Sequence, residues 1–501
     1  MLIVADGVLL DGTRASVGFA DGRVRAVGAL RDVRAACPGA EELDAACGLV
    51  LPGLGDAHLH LVPTARALEE VDLSGARSED ELAALCAVAS ARLPPGAWLV
   101  GGRWDHERFP EGRFPRHAAL SAAVPDRPAY LQRIDGHAAL VNAAALARAG
   151  VTRETPAPPG GAIERLADGS PAGVLVDAAM ELVFARIPAP GLDETRRLLG
   201  VALRRCAEAG LASVHDAALD ATQAAALEAL GAEDALLLSV FGMLDAAAAS
   251  SAAALARGPV RSGAFHLGAV KLFADGALGS RGALLFDDYA DAPGCRGLAV
   301  VSPERLRALA EQGVARGFRV AVHAIGDRAN AEVLDLFESL GAERPRVEHA
   351  QLVRPADFAR FVRVGAVASV QPMHSHDDAP WAGRRLGARV ANAYAWRALR
   401  DAGAALAFGS DSPIATVSPL AAIAQATGGW REEQRVSAED AVHACTRGVA
   451  FAAGEERVAG ALEVGLRGDA TVLERVPRSP AEWREARVRF TLARGRLIHA
   501  A

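Results

Sequence analysis

Short apolar runs followed by amphipathic segments recur eight times in order between residues 53 and 454, and that repeat restricts the fold more than any other property of the chain. With a stretch near 62 to 200 set aside, strands are expected at 54–60, 211–216, 235–243, 267–275, 318–324, 346–350, 366–372 and 404–411. Helices separate most of them. Ser302 reads as an N-cap with Pro303 at the first helical position, the helix running to about Arg316 and stopping at Gly317. Others follow Arg328, Arg354 and Asn392. Parallel strands, each returned by a helix, close into a (β/α)8 TIM-like barrel, an α/β fold whose catalytic groups sit at the C-terminal strand ends.

The flanks have a different texture. Residues 1–52 carry short apolar runs broken by Asp6-Gly7, Asp11-Gly12 and Asp21-Gly22, and residues 455–501 repeat that pattern. The two termini are therefore expected to build one composite β-sandwich domain beside a barrel spanning 53–454. The stretch 62–200 is too long for a βα loop and reads as an inserted α+β subdomain after strand one. Within it Ser78 and Glu81 form a capping box, and Trp98-Leu-Val and Ala129-Tyr-Leu read as strands. Pro156 to Gly161 reads as a loop or linker, and Ala246 to Ala256 as a helix former.

Composition narrows the partners. A net charge of -7 with arginines interspersed among acids excludes a nucleic-acid surface, and no apolar run reaches bilayer length. The start of the chain has Asp6, no basic leader and no cleavage site, which leads to the expectation of a cytoplasmic protein with a small-molecule substrate. Six scattered cysteines without a CxxC point to reduced thiols.

Of 54 basic residues, Lys271 is the one lysine. Arginine serves as well for surface charge, but it stays protonated and offers no nucleophilic amine. Lys271 is thus a candidate for a Schiff base with a carbonyl, or for a carbamate formed with carbon dioxide. At the end of strand one, His58 and His60 are two residues apart and so share a face, where neutral imidazoles can converge on one cation. His323, His349 and Asp411 end three further predicted strands. Any one of these is compatible with a satisfied core polar group; together they describe one rim of one barrel.

The chain resembles the amidohydrolase superfamily, and within it the YtcJ-like amidohydrolases that include N-substituted formamide deformylases. The resemblance is carried by Pro52-Gly-Leu-Gly-Asp-Ala-His-Leu-His60, Asp135-Gly-His-Ala-Ala-Leu-Val-Asn142, Lys271-Leu-Phe-Ala-Asp-Gly-Ala-Leu-Gly-Ser-Arg281, His323-Ala-Ile-Gly-Asp-Arg328, Val347-Glu-His-Ala-Gln351 and Phe408-Gly-Ser-Asp-Ser-Pro413. It implies a metal-dependent hydrolase of carbon–nitrogen bonds other than peptide bonds (amide, formamide or related), working through a metal-activated hydroxide. His58 and His60 would hold one divalent ion, His323 and His349 a second, and a carboxylated Lys271 would bridge them. Asp411 would be both ligand and proton shuttle. Zinc comes first among the candidate metals, with iron, manganese and cobalt tolerating similar ligands.

Three alternatives stay open: a mononuclear site with uncarboxylated Lys271 paired to Asp275, a non-catalytic barrel used for binding or assembly, and a Schiff-base aldolase. On the substrate side stand His137, Asp327, Arg281 and Trp104. Each has a structural counterpart: a turn histidine, a helix cap, an ion pair with Asp275 or Asp287, and core packing respectively. Trp381 shares the last alternative. His374 and His376 are expected in a loop, and His215-Asp216 beneath the ligands. The segment after Pro419 is shorter than in relatives. The particular substrate and the assembly, for which a homodimer is the commonest outcome, stay open at this level.

Overall fold

The computed structural model describes residues 1–134, 138–158 and 161–501. The chain divides into two compact units, residues 1–64 with 192–501, and residues 65–191.

In the larger unit eight strands pair in one parallel series: β1 (Leu54–Leu59), β2 (Leu211–Leu219), β3 (Ser239–Asp245), β4 (Phe265–Phe273), β5 (Arg319–Ala324), β6 (Arg346–His349), β7 (Val367–Val370) and β8 (Ala405–Phe408). Beyond the end of β8, Asp411 N donates to His58 O at 2.6 Å and His60 N to Ser412 O at 2.9 Å, which brings the last strand's exit against the first. The TIM-like barrel expected from the repeat is thus present. Its inward positions include Ala217, Phe241, Met243, Ala269 and Ala321, a core with small residues where branched ones are more usual. Strand three starts four residues later than expected. The preceding helix ends with Ala235 N donating back to Leu230 O and Asp234 at φ 51°, so Ala235 to Leu238 are drawn into the turn.

The expected cap at Ser302 forms, its hydroxyl accepting from Arg305 N at 3.3 Å at the start of helix Pro303–Ala315. The Ala-rich stretch is less helical than expected. Asp245 accepts from Ala247 N and Ala248 N, which holds the chain in a turn and leaves only Ala252–Arg257 as α-helix.

The termini build two four-stranded sheets. One comprises Leu2–Val8, Arg14–Ala20, Arg23–Gly28 and Glu41–Asp44; the other pairs Val50–Pro52 with Ala470–Leu473, Val488–Ala493 and Arg496–Ala500. Their apolar faces share a core of Val17, Phe19, Val50, Val472 and Leu492.

The unit of residues 65–191 has its own six-stranded sheet, in the order Gly161–Arg165, Pro171–Asp177, Ala138–Val141, Ala129–Arg133, Leu99–Trp104, Val71–Asp72. Ser78 caps helix Glu79–Ser90 by accepting from Glu81 N. Of the Pro156–Gly161 segment, Pro159 and Gly160 lie outside the described residues. Among the described residues no helix is long and apolar enough to cross a membrane, and the six cysteines are free thiols.

Candidate metal centre

The C-terminal ends of β1, β4, β5, β6 and the turn after β8 bring His58, His60, Lys271, His323, His349 and Asp411 to one end of the barrel. His58 and His60 leave β1 on the same side, their ring centroids 5.6 Å apart. His58 lies 5.0 Å from His349, which lies 4.4 Å from His323. Asp411 Oδ1 sits 3.4 Å from His58 Nε2 and 3.2 Å from His60 Nε2. Donor atoms of His58, His349 and Asp411 fall within 4.8 Å of one another. His60 joins this group through Asp411.

What the far side of each ring does decides whether the near side is free. Glu348 Oε2 lies 2.6 Å from His58 Nδ1, and an ionised carboxylate can only accept, so Nδ1 carries the proton and Nε2 keeps its lone pair. Ala217 O does the same for His60 Nδ1 at 2.8 Å. Both lone pairs then face Asp411. His349 Nδ1 and His323 Nε2 are buried and make no hydrogen bond, His323 Nε2 lying 3.5 Å from Asp275 Oδ1. Buried ring nitrogens left bare beside a carboxylate are unfavourable in an apoprotein and are what a divalent cation satisfies. The residues present therefore fit a metal.

Electrostatics agree. Burial works against the Asp411 anion; protonated His58, His60 and His374 would hold its carboxyl well below its usual range, and with the rings in the neutral, ligating form a bound cation would take over that role. Burial, then the charge of Lys271, lowers His323 to about 3. His349 is lowered far as well, by burial first and by His323 and His58 next. These rings are neutral at pH 7, the form that ligates.

Lys271 is 1% exposed. Burial lowers its ammonium to about 8, and its Nζ lies 4.5 Å from the centroid of the Phe273 ring. The alternative pairing with Asp275 does not form. Asp275 instead accepts from the backbone N–H of Leu284, Ile325 and Gly326 at 2.8, 3.0 and 2.8 Å, tying the loop after β4 to the end of β5.

Below the cradle lies a buried relay that no spacing rule had singled out. Glu348 Oε1 accepts from Arg346 Nε at 2.7 Å, and Arg346 also donates to His215 Nδ1 at 2.8 Å and Ala57 O at 2.6 Å. Arg346 and Glu348 are both fully buried, and Arg346 and His58 outweigh the burial that opposes the Glu348 anion. They occupy i and i+2 of β6, so one face carries both; that alternation was the available signal.

The remaining candidates are placed as follows. Trp104 is 0% exposed inside the core of the 65–191 unit, its Nε1 donating to Leu131 O, so its ring packs there and walls no pocket. Arg281 pairs with Asp291 at 3.1 and 2.9 Å, in place of the Asp275 or Asp287 expected, because Asp275 is turned inward onto backbone donors. Asp327 opens helix Asp327–Leu340 and accepts from Phe286 N and Arg328 N, which makes it a loop tether. His137 lies outside the described residues. Trp381 is half-buried, with the Arg385 guanidinium 5.4 Å from its ring centroid. His374 and His376 sit on helix Pro372–Asp378, not in a loop. His374 stacks on His349 at 5.9 Å with its Nε2 3.7 Å from Asp411 Oδ2, so it lines the centre. Asp216 accepts from Leu61 N at 3.1 Å.

Comparison with known proteins gives the same picture. The model of the amidohydrolase family matches residues 41–499. The chain is similar to the protein LONG AFTER FAR-RED 3 of Arabidopsis thaliana, 34% identical with 94% of this chain and 87% of that protein covered. It is similar to the putative amidohydrolase YtcJ of Bacillus subtilis, at 31% identity with 92% and 91% covered. Similarity extends to the N-substituted formamide deformylase of Arthrobacter pascens, at 28% with 95% and 93% covered. Among solved structures, an uncharacterized metal-dependent hydrolase of Pyrococcus horikoshii superposes with a TM-score of 0.83 at 27% identity, covering 96% of this chain and 98% of that one. A family match over nearly the whole length, on a barrel with histidines and an aspartate gathered at its C-terminal rim, means that the chain belongs to the amidohydrolase family.

Proposed function

We propose that this protein is a metal-dependent hydrolase that cleaves a carbon–nitrogen bond of an amide, formamide or related acyl-amine. The observation carrying this reading is the orientation of the imidazoles: His58 and His60 have their outer nitrogens committed to Glu348 and Ala217 and their inner nitrogens turned to Asp411. The relative named an N-substituted formamide deformylase, and the Pyrococcus structure named a metal-dependent hydrolase, support the same class.

The residues that would hold a divalent cation, zinc first, are His58, His60, His349 and Asp411, with His323 and a carboxylated Lys271 available for a second; such an ion supplies Lewis acidity and makes a water ionise near neutral pH. His58, His349 and Asp411 offer donor atoms close enough together for one ion, and metal stoichiometry separates the one-ion from the two-ion reading. Asp411 is the group that moves a proton. It is held ionised, with Oδ1 toward His58 and His60 and Oδ2 toward His374, so it can accept a proton from water and deliver it to the departing nitrogen. Without that delivery an amide nitrogen leaves poorly. Hydrolysis breaks the acyl–nitrogen bond and gives a carboxylic acid and an amine. Glu348 and the Ala217 carbonyl hold the rings in the ligating tautomer throughout.

The test is metal analysis together with hydrolysis of a panel of N-formyl and N-acyl amines. One to two equivalents of metal are expected, and Asp411→Asn should lower turnover by about 10²-fold or more while the fold persists. Lys271→Arg should abolish turnover; a fully active Lys271→Arg protein removes the carbamate role.

A further inference from the structure

The chain leaves β6 in a conformation that few side chains adopt. His349 has φ 75° and Ala350 φ 41°, two consecutive residues in the left-handed region that favours glycine. Tyr394, whose N–H donates to Gln351 O at 2.7 Å, has φ 54°. Such backbone persists only where the surrounding contacts fix it, and His349 is one of the candidate ligands.

A closed triangle of side chains supplies those contacts. Gln351 Nε2 donates to Asp378 Oδ2 at 2.6 Å and to the Tyr394 hydroxyl at 2.8 Å, and that hydroxyl donates to the same Asp378 oxygen. A carboxylate can only accept, so the amide nitrogen of Gln351 has to face it. Gln351 and Tyr394 are buried, which leaves little water to compete for these bonds. Gln351 comes two residues after His349. Asp378 comes four after His374, one turn along helix Pro372–Asp378 and hence on the same face. The bond from Gln351 to Asp378 therefore joins the segment carrying His349 to the helix carrying His374. That helix has seven residues and no side-chain cap at its start, too little to hold itself in place, so tertiary ties decide where it lies. Trp430 Nε1, donating to Ser375 O at 2.8 Å, ties its middle, and Asp378 ties its end. The His349 and His374 rings are 12° from parallel, and His374 Nε2, 3.7 Å from Asp411 Oδ2, is buried without a hydrogen bond.

On the reading of this cradle as a metal centre, we propose that Gln351, Asp378 and Tyr394 are its positioning residues: their triangle holds His349 where it can ligate and keeps His374 beside Asp411. The place of the Asp378 oxygen matters, not its charge. Both bonds end on Oδ2, so one correctly placed oxygen is sufficient, and an asparagine carbonyl can supply it.

Cobalt(II), whose visible absorption bands report ligand geometry, is the probe, added to the full chain, with affinity read by chelator competition. The wild-type protein should take up cobalt and show these bands. Asp378→Ala should shift them and weaken cobalt about 10-fold or more, whereas Asp378→Asn should keep the wild-type spectrum and affinity. Tyr394→Phe leaves the direct Gln351–Asp378 bond, so it should shift the bands with a smaller loss of affinity. If Asp378→Ala does not fold, Tyr394→Phe set against Asp378→Asn decides. A folded Asp378→Ala or Tyr394→Phe protein with the wild-type spectrum and affinity overturns the positioning role, and so does an Asp378→Asn protein that behaves like Asp378→Ala. A wild-type protein that takes up no cobalt is a different result: it refutes the metal centre itself, and the positioning role with it.

Discussion

Arg346 and Glu348 show how strongly single buried side chains control this centre. Both ions are out of water, and each is acceptable only because the other, with His58, His215 and Ala57 O, completes its bonding. Arg346→Met strands the Glu348 anion and should cost about 3–5 kcal/mol, read from urea denaturation. Glu348→Gln keeps a neutral partner for His58 but weakens its lone-pair donation. Metal affinity should fall about 10- to 100-fold, measured by chelator competition, with a smaller loss of stability. The His-x-His pair and the lone lysine were legible because their spacing or rarity is a property of the chain itself. Glu348 stood in plain view beside His349, yet its partner His58 is 290 positions away, so nothing local marked it as the group that orients a ligand.

His266 offers a pH test at the same scale. Burial, with Arg261 nearby, lowers it to about 4, against roughly 6.5 in an unfolded chain. Between those values the unfolded state binds more protons than the folded one. Its contribution is therefore fully present above pH 6.5 and is lost as pH falls toward 4. His266→Phe should flatten the fall in melting temperature between pH 6.5 and 4.5; an unchanged slope would contradict the assignment.

Among elements, the strands were readable and their ends were not. Apolar runs mark eight strands because each must be buried on both faces, whereas the exact termini depend on what the neighbouring loop donates or accepts. Asp275 is the clearest case. Read along the chain it was a partner for Lys271 or Arg281, but in the fold it gathers three backbone donors from two loops. Asp275→Ala leaves those donors buried and unpaired and should destabilise by on the order of 3 kcal/mol or more in urea titration. By contrast, Ser302→Ala removes one exposed cap and should cost about 1 kcal/mol. The helix carrying His374 was missed because Gln371-Pro-Met-His-Ser-His376 has no apolar period; Pro372 at its first turn was the signal available.

The whole molecule joins its two termini. Residues 1–49 supply one sheet of the sandwich, and without them Val50, Val472 and Leu492 would lose the cover of Val17 and Phe19. A chain beginning at residue 50 should therefore aggregate or show a markedly lower melting temperature than the full protein. Chelation of the metal should also lower the melting temperature, since a cation that binds only the folded cradle stabilises it by mass action.

Periodicity, small-residue spacing and the identity of the polar groups at strand ends are written in the order of residues, and they suffice for a barrel with a metal-binding rim because each depends on neighbours a few positions away. Which nitrogen of each imidazole is free, which carboxylate steadies it, and which side chains fix the helix of His374 were settled only when the chain closed. Those properties belong to pairs such as His58 with Glu348, and it is folding that sets the distance between them.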